Sequence, residues 1–282
     1  LSSIFALPRF AIKNGASCIA CHINPTGSGM RNSHGNDVVA LEELPMKRWQ
    51  DKGDENWDGY ITENLQIGGD FRIQGVQYNN DNSRESALFP MQADLYTHLT
   101  LNKNAGIFTK LGVKGSSRPI SLEYWALISN LPKKTWLRIG RSIPNYGIRV
   151  DDHTSFIRGG NIDKTKVGLN VIRGNEGFVF IPDGPVPTIL EWGIPMSSSV
   201  EWTASISTSL VLENEEMNNF TTKITKRGSI GNNLKYRASI SYMQEDDLKM
   251  SGVSGGTSLG DFTWTIAMDQ IHNWNGYATS LA

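Results

Sequence analysis

Cysteine is almost missing from this chain: 282 residues hold two, Cys18 and Cys21, three apart. A disulfide across two intervening residues would constrain almost nothing, and no later cysteine supplies a second ligand pair for a zinc knuckle. No stretch reaches the roughly 18 apolar residues of a transmembrane helix. That excludes a helical membrane protein, but not a membrane barrel, whose alternating strands keep mean hydropathy low. Charge of one sign is lacking as well: 27 basic against 28 acidic residues give a formal net charge of −1, so nothing points to nucleic acid as a partner. Hydrolase readings rank low, because no Ser-His-Asp order, paired-carboxylate site or phosphate loop stands out. What is abundant is glycine, with 28 residues, and aromatics, including 8 Trp and 8 Tyr. That mixture suits many turns and strands better than helices.

Both cysteines fall in "GASCIACHINPTGSGMRNSHG", residues 15–35, where Cys18, Cys21 and His22 spell C-x-x-C-H. This is the attachment signature of a c-type haem. Two thiols add to the two vinyl groups of one porphyrin edge, and the adjacent imidazole becomes the proximal iron ligand. A thioredoxin-like dithiol would need a βαβ setting, which the chain lacks. Such haem is attached outside the cytoplasm, so the motif also implies export. For the distal side Met30 is preferred, with His34 as the alternative; a thioether raises the potential relative to a second imidazole. Asn24-Pro25-Thr26-Gly27 is a turn signal able to fold residues 29–34 back over the iron.

Residues 46–62 read as a polar linker or plug, after a short amphipathic turn in "DVVALEEL". Within it Asp54, Asn56, Asp58 and Gly59 match the start of an EF-hand calcium loop, but Leu65 stands where the bidentate acid is needed. A solvated acidic turn is the preferred reading over a calcium site.

From Asn64 onward the period becomes two. Leu95, Leu99 and Leu101 alternate with Asp94, Tyr96 and His98; Phe262, Trp264, Ile266 and Met268 share one face of "DFTWTIAMDQ". Stretches of about ten residues, broken by Gly, Asn, Asp and Pro, predict eleven or twelve antiparallel strands. Their length and charged polar faces favour an outer-membrane β-barrel over a sandwich of shorter strands. Trp125, Trp136, Trp202 and Trp264 are expected as girdle residues. His98 has the polar parity and would face the lumen, within approach of the haem, as a further alternative ligand. His153 falls in a loop beside Asp151 and Asp152.

With motif and strands in hand, the chain resembles the fused monohaem cytochrome–porins of bacterial outer membranes, a group that includes iron-oxidising outer-membrane cytochromes. The resemblance rests on "LPRFAIKNGASCIACHINPTGSGMRN", on "ENLQIGGDFRIQG" as an opening strand, and on "LRIGRSIPNYGIRVDDHTSFIRGG", residues 137–160. It implies a cytochrome segment at 1–45, the linker or plug at 46–62 and a porin-like barrel at 63–282, carrying electrons at the outer membrane. The partners it implies are a periplasmic electron carrier, an extracellular donor or acceptor such as ferrous iron, and membrane lipid. Family roles carry over to Cys18, Cys21 and His22, with Met30 as distal ligand. The ending "NGYATSLA" lacks a terminal aromatic, so the chain is expected to continue beyond Ala282. A cytochrome part of 35 to 45 residues is too small to bury a haem alone, so the wall must shield it. The expected role is that of an electron carrier rather than an enzyme with a substrate pocket. Two other functions compete: a soluble periplasmic haem protein with a β-sandwich domain, and a solute porin whose haem segment is structural.

Overall fold

The computed structural model describes residues 8–27, 29–36, 59–79, 84–114, 118–148, 186–209, 215–231, 233–260, 262–272 and 279–281. The fold is mainly β. After a short helix α1 (Pro8–Asn14) come β1 (Tyr60–Thr62), β2 (Leu65–Asn79), β3 (Arg84–Asn102), β4 (Ala105–Lys114) and β5 (Arg118–Leu131). The middle strands are β6 (Thr135–Arg141), β7 (Thr188–Pro195) and β8 (Val200–Ser207). The last are β9 (Asn219–Ile230), β10 (Leu234–Glu245), β11 (Leu248–Leu259), β12 (Phe262–His272) and β13 (Thr279–Leu281). All thirteen lie in one sheet, in sequence order, each pairing antiparallel with its neighbours. A sandwich would need two packed sheets, which the described residues do not form.

The alternation seen in the sequence is realised with an unusual sense. Apolar side chains of the strands face outward: Ile240 is 66% exposed and Trp264 59%, and Leu95, Ile224, Val253 and Ile266 share their side. Charged and hydroxyl side chains are the buried ones, among them Asp94, Glu123, Arg138, Glu191, Thr221 and Lys223. A globular protein in water buries the opposite set. Trp264 lies outward as expected, and Trp202 pairs across the strand with outward Ile224. Trp125 and Trp136 do not: both are buried on the polar inner face, because period two groups residues onto a face without saying which side is covered.

The inner face is concave. Tyr146 lies five residues beyond the end of β6, a reach of at most about 18 Å, yet its hydroxyl donates to Asp269 on β12 at 3.1 Å. On a flat sheet those strands would be six spacings apart, about 29 Å, which backbone and both side chains would cover only at full extension, whereas the Tyr146 amide turns back to the Pro144 carbonyl at 3.1 Å. The sheet therefore curves around what it holds.

Connections differ at the two ends. At one end the turns are 63–64, 103–104, 132–134, 196–199, 231–233 and 260–261; at the other the connections include 142–187 and 208–218. The longest connections thus lie at one rim, which also holds the short ones 115–117 and 246–247.

Candidate functional site

The C-x-x-C-H segment lies on the concave face. Helix α1 packs on β10, β11 and β12, with Ile12 buried against Gly256, where a Cβ would come within 2.7 Å of it. The helix ends at Gly15 in the left-handed region, φ +63°. The Gly15 and Ala16 amides donate back to the Ile12 and Ala11 carbonyls, closing both orphan acceptors. The chain then makes a 3-10 turn over Cys18–Ala20, and the Cys18 carbonyl accepts from the amides of Cys21 and His22. Both cysteines are half-buried free thiols.

Residues 21–23 and 30–32 pair as a short antiparallel ribbon. His22 faces Arg31 across it, the Ile23 amide donates to the Met30 carbonyl at 3.1 Å, and the Asn32 amide to the Cys21 carbonyl at 3.0 Å. The Asn32 side chain donates to the carbonyls of Ile19 and Ala20, both at 3.1 Å, stapling the cysteine turn to the returning strand. Its Oδ1 accepts the Gly35 amide. Gly27, at φ +90°, folds beneath Cys18; a Cβ there would stand 3.3 Å from the Cys18 Sγ. Only glycine meets both demands cheaply.

Cross-strand pairing sets Ile23 beside Met30 and His22 beside Arg31, on alternate faces of the ribbon. Met30 is buried in the wall with Tyr96, Phe108 and Trp125, and Ile23 packs on the same cluster. Phe108 and Trp125 stack at 4.7 Å between centroids, and Tyr96 continues the row at 6.1 Å. Met30 therefore anchors the ribbon to β3, β4 and β5 on the face away from His22. Of the other distal candidates, His34 is exposed, and His98 stands on the inner face between Gln66 and Phe108. Asp54, Asn56, Asp58 and His153 lie outside the described residues. Among the described residues no three His, Cys, Asp or Glu side chains gather as a metal cluster.

Two sets of polar contacts hold the segment in place. Arg138, wholly buried, donates to Asn24 Oδ1 at 2.6 Å, to the Ile143 carbonyl at 3.2 Å and to Glu191. The same Asn24 oxygen accepts from the amide and hydroxyl of Thr26. On the opposite wall Arg237 donates to the Cys18 Sγ at 3.6 Å. Residues 142–148 cross behind the segment as a strut. The Asn145 amide donates to Glu191, Lys223 donates to the Asn145 side chain and the Gly147 carbonyl, and the Gly147 amide donates to Ser241. Gly252 leaves room for the Tyr146–Asp269 contact, since a Cβ there would fall 2.1 Å from Asp269. Burial, reinforced by the Asp269 charge, pushes the Tyr146 phenol well above its usual range.

The residues around the motif suit a group joined through two thiols. Both sulfurs sit on one rigid turn with partial exposure, and His22 follows on a pinned ribbon. Arg138, Glu191, Lys223, Arg237 and Asp269 were visible in the sequence only as charges on the polar side of strands. Comparison with protein-family models and with curated proteins finds no match.

Proposed function

We propose that this chain is an electron-transfer protein of the bacterial outer membrane, carrying one c-type haem on Cys18 and Cys21 with His22 as proximal ligand, held inside a porin-like barrel. The cytochrome–porin resemblance belongs to the same reading. What carries it is a single observation: a C-x-x-C-H segment packed on the concave, polar face of a sheet whose convex face is apolar. Lipid is the solvent that such a convex face requires, and a 30 Å hydrocarbon layer takes strands of about 9 to 11 residues. Strands β2–β5 and β9–β12 have 10 to 19.

The haem supplies one reversible electron at the iron. The protein's own residues do the rest. Cys18 and Cys21 hold the porphyrin edge, Asn32 and Gly27 fix the turn that presents them, and the Met30 cluster and Arg138 seat the ribbon against the wall. The wall completes a shell that so short a segment cannot build alone. Met30's packing with Tyr96, Phe108 and Trp125 supports a reading in which it anchors the ribbon.

Visible spectra of detergent-extracted protein, oxidised and then dithionite-reduced, test the proposal. A c-type absorbance that stays with the polypeptide under denaturing conditions, in the membrane fraction only, is the expected result. A weak band near 700 nm would restore Met30 as ligand. Absence of covalent haem, or recovery of the protein without detergent, would overturn the reading.

A further inference from the structure

The N-terminal segment sits at one level of the curved sheet. Gly68, which touches Met30, lies three residues from the short-turn end of β2, and Arg138 three from the start of β6. Arg237, beside Cys18, is three from the start of β10, and Gly256, beside Ile12, three from the end of β11. At about 3.3 Å per residue, all are about 10 Å inside the short-turn rim. The strut contacts span two levels: Ile143 and Asn145 meet Arg138, Glu191 and Thr203, three or four residues from that rim, and the later ones fall deeper. Ser241, Lys223 and Asp269 are each seven residues from that rim, about 23 Å along their strands. The first residues of the strut thus share the level of the cysteine motif, its later residues lie toward the long-loop end, and the motif is nearest the short turns.

That rim is basic where it lies over the Met30 ribbon. The β3–β4 turn carries Lys103 and the β5–β6 turn carries Lys133 and Lys134, all exposed, against one exposed acid, Glu63, in the β1–β2 turn. Lys133 and Lys134 stand in the left-handed region, φ 61° and 60°. Three-residue hairpin turns carry a left-handed position that glycine fills at little strain. Here two long cations occupy such positions, with no burial to compensate. Backbone strain kept at an exposed turn points to a surface role for its side chains.

We infer that the short-turn rim around Lys103, Lys133 and Lys134 is the docking face for an acidic soluble one-electron carrier. This rests on the haem reading above. One electron passes per encounter: as the iron goes from ferrous to ferric the carrier's redox centre gains that electron, or the reverse, and no bond or proton moves.

The test uses the full chain folded in detergent, first without haem, so that Cys18 and Cys21 are free thiols. Two methanethiosulfonates of opposite charge, sulfonatoethyl and trimethylammonium-ethyl, are reacted with them, and rates are read by mass spectrometry. Expected is an anionic-to-cationic rate ratio that falls about tenfold in K103E/K133E/K134E, falls less in the triple Gln variant, and converges with wild type in 1 M salt. In haem-loaded protein, oxidation by ferricyanide slows in parallel. A ratio unmoved by charge reversal overturns the docking face while leaving the haem intact. A ratio that responds in a chain that then fails to acquire covalent haem under loading overturns electron exchange and the reading beneath it. Should the triple Glu variant lose only its binding to anionic lipid vesicles, with both rates unchanged, the lysines serve headgroups and the proposal fails.

Discussion

Replacing Arg138 with Met removes the one cation that ties three parts of the molecule together. Its guanidinium contacts Glu191 on β7, Asn24 on the ribbon and the Ile143 carbonyl on the strut, and stacks 5.6 Å above the Trp125 ring. Met fills much the same volume, so the loss is electrostatic rather than a cavity. Glu191 is buried, and its remaining donor in this group is the Asn145 amide at 2.9 Å. Breaking a buried pair by removing one partner costs about 3 to 5 kcal/mol, because the other charge stays behind in a dry site. Neutralising both ends removes that penalty, so R138M/E191Q is expected to recover most of the loss. Asn24→Ala, which leaves the ion pair intact, should cost about 1 to 3 kcal/mol. Trp125 lies against the guanidinium, so denaturant unfolding in detergent micelles followed by tryptophan fluorescence reads all four proteins. An R138M within 1 kcal/mol of wild type, or a double variant no better than the single one, would refute the argument that this pair locks ribbon, strut and wall.

Three further outcomes follow from the same contacts. Ile240→Lys, at an outward position, should cost about 2 to 4 kcal/mol in lipid vesicles if it lies near the bilayer midplane, whereas a water-facing site changes by under about 0.5; a negligible effect in vesicles would count against the lipid-facing reading. Gly27→Val should impair thioether formation at Cys18 more than at Cys21, seen as singly attached haem by mass spectrometry of tryptic peptides, since the new side chain meets the Cys18 sulfur and a left-handed backbone; equal attachment would sink the idea. The Tyr146 proton is held above the unfolded value of 10, so its stabilising share is present below pH 10 and is lost as pH rises further. Absorbance at 295 nm should therefore show the same titration near pH 10 in wild type and Tyr146→Phe, with a lost step in the variant as the contrary result.

The sequence by itself determined which residues share a face and where strands run. Outward Phe262, Trp264, Ile266 and Met268 were legible because period two is local, written in residues two apart. It also carried the haem reading proposed for Cys18, Cys21 and His22, since that motif is complete within five residues. Only the tertiary structure decided which face is inside. Trp125 and Trp136, which read like girdle residues, are buried against polar neighbours because the sheet curves toward its charged side. It decided Met30's place too, since the ribbon pairing of Ile23 with Met30 turns the thioether toward β3–β5. Arg138 and Glu191 are 53 positions apart, and Tyr146 and Asp269 are 123 apart. No local spacing can signal contacts at such range, which exist only once the sheet has curved around the segment it holds.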